Sequence, residues 1–246
     1  MSGSGIKKVL VTGTTGYVGN YLLKAIAKAN PSVACVGMSR RGTARQGEET
    51  TGKLENVSYV AGDCLKPQTF ENMMADVDSI VHCVGALFET RALTYEAMNT
   101  DTCKNMAYEL NKYARENNEE RNFVMISSAK APFFAPRYLS TKEVAEQYLL
   151  NSCGNLKSTI IKPGVVLNAE HRWWGTPVGI ANDVAWWVDS NVCKQVMPTG
   201  VTDKFDFLIP ARSTQLKTIE HFTLLGIKGE NEHTIIGPDV YTAFET

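Results

Sequence analysis

The sequence predicts an α/β fold, a doubly wound parallel sheet with a small C-terminal lobe. Short apolar runs alternate with segments of helical periodicity over the first two thirds of the chain. Strands separated by helices require right-handed crossovers, which give a parallel sheet covered on both faces. Three glycines spaced three residues apart (Gly13, Gly16 and Gly19) mark the first strand-to-helix junction. With 43% hydrophobic residues among 246, the chain is apolar and long enough for a sizeable core.

The strands are predicted, in chain order, from apolar runs that end at glycine or polar residues. The runs lie at 9–12, 33–38, 57–60, 79–84, 123–126 and 158–161. The segment 42–56 is polar and contains glycines, so it is predicted to be a loop between the second and third strands. We expect residues 1–168 to form the main domain and 169–246 a reduced C-terminal substrate or interaction lobe.

The helices are predicted from apolar residues that recur on one face. The first stops before Pro31, and Pro67 begins the second because proline fits the first turn of a helix. Ser213 is predicted to cap the last helix. The predicted helices cover 17–29, 67–75, 94–117, 138–151 and 213–225.

The junction at 12–19 predicts a dinucleotide site. A strand that turns sharply into a helix leaves the first N–H groups of the helix pointing into the turn, where the helix dipole favours a diphosphate. Gly13 suits the tight turn, Gly16 lets the phosphates approach the backbone, and Gly19 lets the helix lie close to the strand. The other residues of this junction that we expect to contact the cofactor are Thr15, Tyr17 and Val18. The alternative is a purely structural turn.

The end of the second strand favours NADP(H) over NAD(H). An acidic residue would hold the ribose hydroxyl of NAD about here, but the sequence has Ser39, Arg40 and Arg41. A guanidinium matches a 2′-phosphate in charge and geometry. The alternative is a pair of solvated surface arginines. Asp63, followed by Cys64, ends the third strand and either caps the next helix or accepts a hydrogen bond from the adenine amino group.

A candidate catalytic group follows the fifth strand. Tyr138 and Lys142 lie four residues apart and therefore share a helix face. An ammonium beside a tyrosine favours the phenolate, so we expect Tyr138 to exchange a proton nearer neutral pH. Ser127 or Ser128 is placed to hold a substrate oxygen. The alternative is an ordinary amphipathic helix that happens to carry a tyrosine and a lysine.

Composition argues against several other classes. A net charge of −1 gives no electrostatic footprint for nucleic acid or an anionic membrane. Six scattered cysteines indicate reduced, buried thiols, and four dispersed histidines make a metal site unexpected. No run is long enough to cross a bilayer, and we expect no secretory signal.

These motifs, in this order, resemble the short-chain dehydrogenase/reductases, in their extended or atypical branch. The resemblance covers residues 1–168 well and 237–241 more loosely. It implies a Rossmann-type NAD(P)-binding domain. The further cofactor-binding residues that it implies are Val84, Gly85, Asn99, Lys162, Pro163, Gly164 and Val165, besides Tyr138 and Lys142.

A narrower resemblance is to a mitochondrial subfamily that includes the nucleotide-binding accessory subunit of respiratory complex I and a protein of coenzyme Q synthesis. The segments that carry it are 81–89, 95–99, 126–130, 138–146 and 162–172. It implies a tightly held NADP(H), protein partners in a mitochondrial complex and a location on the matrix side of the inner membrane. A cytoplasmic location is the alternative.

The sequence departs from working reductases in two ways. Ser127 and Ser128 lie closer to Tyr138 than the family usually shows, and the C-terminal part is short for an extended member. We therefore favour an accessory or assembly subunit that binds NADP(H). The alternatives are an active NADP-dependent oxidoreductase using the Ser/Tyr/Lys site and a redox sensor or scaffold.

Four tryptophans follow the sixth strand. The first two lie in a loop-like stretch and the last two in a predicted helix, where neighbouring side chains cannot share a face, so at least one of the last two is expected to meet a lid, a partner or lipid headgroups. All four are candidates for contact with the inner-membrane surface. The alternative is packing within the C-terminal lobe. The residues are Trp173, Trp174, Trp186 and Trp187.

Overall fold

The computed structural model describes residues 5–45, 54–131, 135–167, 213–231, 234–238 and 240–241. Seven of its strands form one sheet in which every neighbouring pair is parallel. The strand order is β3-β2-β1-β4-β5-β6-β9. The strands are β1 (Lys8–Thr12), β2 (Ala34–Ser39), β3 (Val57–Ala61), β4 (Ser79–His82), β5 (Arg121–Ile126), β6 (Leu156–Ile161) and β9 (Ile235–Ile236). The predicted fold class is confirmed.

Alternating strand residues divide the core between the two faces of the sheet. Helices α1 (Tyr17–Ala29) and α4 (Leu216–Lys228) cover one face, where Val9, Val11 and Val124 are buried. Helices α2 (Thr102–Glu116) and α3 (Pro136–Ser152) cover the other, where Leu10 and Phe123 are buried. Successive side chains of a strand point to opposite faces, and both faces are apolar because helices cover both.

Two of the predicted helices contain turns that are tighter or wider than those of an α-helix. The segment predicted as a helix over 67–75 forms two 3₁₀ turns, Pro67–Thr69 and Glu71–Asp76. The helix predicted over 94–117 begins as a π-helix at Glu96–Asp101 and continues as α2. Single wide turns of this kind are frequent at functional sites. Here the wide turn carries Asn99.

The C-terminal part rejoins the main sheet. The strands β7 (Val166–Leu167) and β8 (Thr214–Gln215) form a separate parallel pair, α4 packs on the main sheet, and β9 extends it beside β6. Ser213 does not cap α4, because the chain stays extended through β8 and Gln215 takes the N-cap position. The boundary at residue 168 stays a prediction.

The four tryptophans lie outside the described residues. None of the helices within the described ranges is long and apolar enough to cross a bilayer.

Candidate functional site

A pocket lies at the carboxyl ends of β1 to β4, where the strand order reverses around β1. In open α/β sheets, this edge is where nucleotides bind. The residues that line it are Gly13, Thr15, Gly16, Met38, Ser39, Arg40, Gly62, Asp63, Cys64, Leu65, Cys83, Val84, Gly85, Leu93, Met98 and Thr102.

The three glycines have different structural roles. Gly13 has a φ of +74°, and a Cβ there would lie 2.9 Å from the Cys83 carbonyl oxygen. A Cβ on Gly19 would lie 2.5 Å from the carbonyl oxygen of Gly13, so α1 packs against the turn only because residue 19 has no side chain. Gly16 has extended backbone angles, and among the described residues a Cβ there would meet only the Gly13 carbonyl oxygen, at 3.1 Å. The protein itself therefore leaves space beside Gly16.

The start of α1 suits a phosphate group. Gly16 occupies the N-cap position without a side-chain cap, and the first turn carries no acidic residue. Helix N-termini of this kind attract anions through their N–H groups and dipole. The open space beside Gly16 and the uncapped helix therefore fit the diphosphate of a dinucleotide.

Arg40 lies at the pocket, whereas Arg41 is not among the residues that line it. Both side chains are exposed, and neither forms an ion pair with the residues that the structure describes. The neighbouring Ser39 is buried and fixes the turn, because its Oγ accepts a hydrogen bond from the Gly42 N–H at 3.2 Å. Arg45, which sequence reasoning missed, places its guanidinium 5.9 Å from the ring centre of Tyr17.

Asp63 and Cys64 line the pocket on the side of β3. Asp63 does not cap the following turn; its Oδ1 accepts a hydrogen bond from the Leu65 N–H at 3.1 Å. Burial raises the pKa of the Cys64 thiol to about 12. Cys64 is therefore a neutral apolar wall, and Asp63 retains an oxygen, Oδ2, for which the described residues show no hydrogen bond.

Ser128, Tyr138 and Lys142 are brought together. The Ser128 hydroxyl, which donates to the Lys130 carbonyl oxygen at 2.9 Å, lowers the pKa of Tyr138. The ammonium of Lys142 lies 5.8 Å from the ring centre of Tyr138. Lys142 is 3% exposed and donates to the Ile126 carbonyl oxygen at 2.9 Å. Ser127 is not part of this group, because its Oγ donates to the Glu146 carboxylate instead.

The expected lowering of the Tyr138 pKa is wrong. Burial raises the pKa of Tyr138, and the Ser128 hydroxyl offsets this only in part. Burial also lowers the pKa of Lys142. The physical reason is desolvation, which disfavours the charged form of both groups.

Asn99 and Gly85 connect Lys142 to the pocket. A Cβ on Gly85, which lines the pocket, would lie 3.0 Å from Asn99 Oδ1 and 3.1 Å from Lys142 Nζ. Asn99 is buried; its Oδ1 accepts from the Ala86 N–H at 2.9 Å, and its Nδ2 lies 3.3 Å from Thr141 Oγ1. The π-turn thus directs Asn99 to hold the chain after β4 against α3.

Residues 162–165 are not among the pocket-lining residues. The Lys162 ammonium pairs with Glu146 at 3.0 Å, the Pro163 carbonyl oxygen accepts from the Ala129 N–H, and Gly164 donates to Thr214 Oγ1. Val165 accepts from the Thr214 N–H. The structure thus places this segment as a brace between β6, the loop after β5 and β8.

Sequence reasoning also missed His82, which lies buried at the end of β4. Its Nδ1 is 3.0 Å from Thr12 Oγ1 and its Nε2 is 3.4 Å from Thr102 Oγ1. Thr102 donates its single hydroxyl proton to the Met98 carbonyl oxygen, so Nε2 carries the imidazole proton and Nδ1 accepts from Thr12. Burial, together with the charge of Lys142, lowers the pKa of His82 to about 3. The sequence alone does not show that His82, at the end of a strand, is enclosed by other residues; the fold does.

We expect His82 to make the protein acid-sensitive. Its folded pKa lies below the unfolded value of 6.5, so the unfolded chain takes up a proton that the folded chain refuses. The resulting stability is complete above pH 6.5 and is lost as the pH falls toward 3. Between pH 7 and pH 5, the loss is about 2 kcal/mol of unfolding free energy.

Urea unfolding at both pH values measures this effect. His82→Gln, which keeps one hydrogen-bonding group but cannot titrate, should show a pH dependence smaller by that amount. Equal pH dependence in the two proteins would contradict the assignment.

Residues 9–147 match the model of the NAD dependent epimerase/dehydratase family. The chain belongs to this family. The epimerase/dehydratase match includes the glycine turn, Arg40, Asp63 and the Tyr138/Lys142 pair, and the family binds a nicotinamide dinucleotide.

Two relatives of known name are similar to the chain. One is MIOREX complex component 2 of Saccharomyces cerevisiae, 25% identical over 210 residues that cover 68% of this chain and 75% of that protein. The other is the mitochondrial NADH dehydrogenase [ubiquinone] 1 alpha subcomplex subunit 9 of Arabidopsis thaliana, 26% identical over 66% of this chain and 39% of that protein. The predicted resemblance to a mitochondrial complex I subunit is thereby confirmed. Neither name concerns coenzyme Q synthesis, which stays a prediction.

Solved structures confirm the fold. A short-chain dehydrogenase from Streptomyces avermitilis superimposes with a TM-score of 0.62 at 16% identity, covering 98% of this chain and 93% of that one. A short-chain dehydrogenase/reductase oxidoreductase from Burkholderia thailandensis gives 0.63 at 15% identity, over 97% and 94%. At these identities, the similarity concerns the fold alone.

Proposed function

We propose that this protein binds NADP(H) and serves as an accessory or assembly subunit of a mitochondrial protein complex. The proposal of NADP(H) binding rests on Arg40. Its guanidinium lies at the pocket and has no ion-pair partner among the described residues. A buried or paired arginine would be satisfied by the protein, whereas Arg40 is available for a phosphate. The proposed role as a subunit of a complex is supported by the two relatives, which are named as components of complexes.

In this proposal, the described residues would contact the dinucleotide at three points. Gly13, Gly16 and the start of α1 would hold the diphosphate, and Asp63 would face the adenosine. Lys142, behind Gly85, would hold the nicotinamide ribose. Bound nicotinamide supplies hydride transfer. The side chains of this protein would orient the dinucleotide and, at Tyr138, supply a proton.

Two features support a role other than turnover. A proton donor works best when its pKa lies near the working pH, and burial raises the pKa of Tyr138 away from it. In addition, the ring of Tyr95 packs edge-on against Tyr138 at 6.4 Å, and the Tyr95 hydroxyl donates to the Leu87 carbonyl oxygen. The loop after β4 therefore lies against the ring that a substrate would have to reach.

An active NADP-dependent oxidoreductase is the second candidate. It is favoured by the Ser128 hydroxyl, which lowers the pKa of Tyr138, and by the Lys142 ammonium, which lies 5.8 Å from the ring centre of Tyr138. Purification of the protein at native abundance from mitochondria tests the first proposal. We expect it to co-migrate with a complex and to carry NADP(H). A free monomer that reduces added carbonyl compounds with NADPH would support the second.

The preference for NADPH is expected to depend on Arg40. Calorimetric titration should show NADPH binding tighter than NADH. Arg40→Ala should remove about 10-fold of that preference, because one charge-assisted hydrogen bond of about 1.5 kcal/mol is lost. Arg41→Ala is the matched control, since it removes the same charge one residue farther along and should have the smaller effect. Equal affinities for the two nucleotides in the unmutated protein would contradict the assignment.

A further inference from the structure

A buried carboxylate links three segments behind the candidate site. Glu146 of α3 is 4% exposed. Its Oε1 accepts a hydrogen bond from Ser127 Oγ, at the end of β5, and its Oε2 pairs with Lys162 Nζ, just past β6, at 3.0 Å. Burying a carboxylate is costly unless it is paired and hydrogen-bonded, and here both oxygens are satisfied.

Lys142 lies one helical turn before Glu146 on the same face of α3. The two side chains attach to consecutive residues of the sheet, Lys142 to the Ile126 carbonyl oxygen and Glu146 to the Ser127 hydroxyl. Lys142 forms no ion pair of its own within the described residues. One carboxylate therefore lies beside two ammonium groups, of which Lys142 is almost fully buried.

The other groups around Lys142 supply little compensating charge. These groups lie on α2, at or just after β4 and β6, and on α3 itself. Cys83 and Cys103 are thiols whose pKa burial raises to about 12, and His82 is neutral. Tyr138 has a raised pKa as well. Among the described residues, the titratable and charged groups that face Lys142 are His82, Cys83, Cys103, Tyr138, Glu146 and, through Glu146, Lys162.

We propose that Glu146 is a positioning residue that keeps Lys142 protonated inside the protein, and that Lys162 limits this effect by sharing the same carboxylate. The charge on Lys142 lies behind Gly85, where an anionic or hydroxyl-bearing ligand in the pocket would meet it. The consequence for nucleotide binding rests on the function proposed above. Burial lowers the pKa of Lys142, whereas Cys103, Cys83 and Glu146 raise it. Because burial raises the pKa of both thiols to about 12, they are neutral near pH 7, and Glu146 is the one of these three groups that carries a charge there.

The test is the titration of Lys142 in the nucleotide-free protein, followed by the ¹³C chemical shift of its Cε and assigned with Lys142→Met. Glu146→Gln, which keeps the shape but removes the charge, should lower the pKa of Lys142 by about 1. Lys162→Met, which frees Glu146 to act on Lys142 alone, should raise it. Ser127→Ala is the control, because it removes a hydrogen bond of Glu146 but no charge, and should leave the pKa of Lys142 in place.

Glu146→Gln and Lys162→Met should thus shift the pKa of Lys142 in opposite directions. A Glu146 that only held the fold together would not produce opposite shifts. If Glu146→Gln leaves the pKa of Lys142 unchanged, or if Lys162→Met lowers it as well, the inference is wrong. If Glu146→Gln does not fold, the direction measured for Lys162→Met decides.

NADPH affinity measured against pH in the same variants tests the link to the ligand. The pH above which affinity falls should move to lower values in Glu146→Gln and not in Ser127→Ala. A Lys142 pKa that shifts as expected in a protein that binds no NADPH would contradict the proposed function and leave the inference about Glu146 standing.

Discussion

Gly16→Val is expected to abolish nucleotide binding in a protein that still folds. The backbone of Gly16 is extended, at φ −78° and ψ 165°, which any residue adopts, and in the part of the chain that the structure describes a Cβ would meet one atom, the Gly13 carbonyl oxygen, at 3.1 Å. The new side chain would occupy the space that the diphosphate needs. We expect NADPH affinity to fall about 100-fold or more, since two lost charge-assisted hydrogen bonds are worth about 3 kcal/mol.

Gly19→Ala is the contrasting variant. Its Cβ would lie 2.5 Å from one backbone atom of Gly13 and 2.9 Å from another, so α1 has to shift. Overpacking of this kind costs about 1–3 kcal/mol, which should appear as a lower melting temperature. Calorimetric titration and thermal unfolding of both variants measure the two effects. A Gly16→Val protein that binds NADPH normally would mean that the glycines serve only the turn.

Lys142→Met is expected to release the nucleotide and thereby to impair assembly of the complex. Methionine fills a similar volume without the ammonium that would hold the nicotinamide ribose. The apo protein should remain folded, because the substitution removes the cost of burying an ammonium and leaves Glu146 paired with Lys162. The measurement is the nucleotide content of the purified protein, together with respiration of cells in which the variant is the sole copy.

Tyr138→Phe separates the two candidate functions. It keeps the ring that packs against Tyr95 and removes only the hydroxyl, which is the proton donor that a reductase requires. For an accessory subunit, we expect bound NADP(H) and respiration close to normal. A Tyr138→Phe strain that loses respiration while its protein retains the nucleotide and its partners would favour the active oxidoreductase.

The local part of the candidate site could be predicted from the sequence. The glycine turn, the bounds of α1 and the approach of Tyr138 to Lys142 depend on short-range spacing, and the structure reproduces them. The predicted cap at Ser213 failed because pairing with β7, almost fifty residues earlier in the chain, keeps that segment extended. The helix predicted at 67–75 is two 3₁₀ turns, a distinction that periodicity over nine residues does not resolve.

By itself, the sequence determined the parallel sheet, six of its seven strands and the strand-turn-helix unit beneath the candidate diphosphate site; it missed β9. These follow from apolar periodicity and from the conformations that glycine and proline allow, both of which are properties of neighbouring residues. Only the tertiary structure decided the charges at the site. It buried Tyr138, which raises the pKa of that residue, paired Ser127 with Glu146 and enclosed His82 between Thr12 and Thr102. The reason is that desolvation and pairing depend on which groups meet across the fold, and residues far apart in the chain, such as Glu146 and Lys162, meet only once the strands are in place.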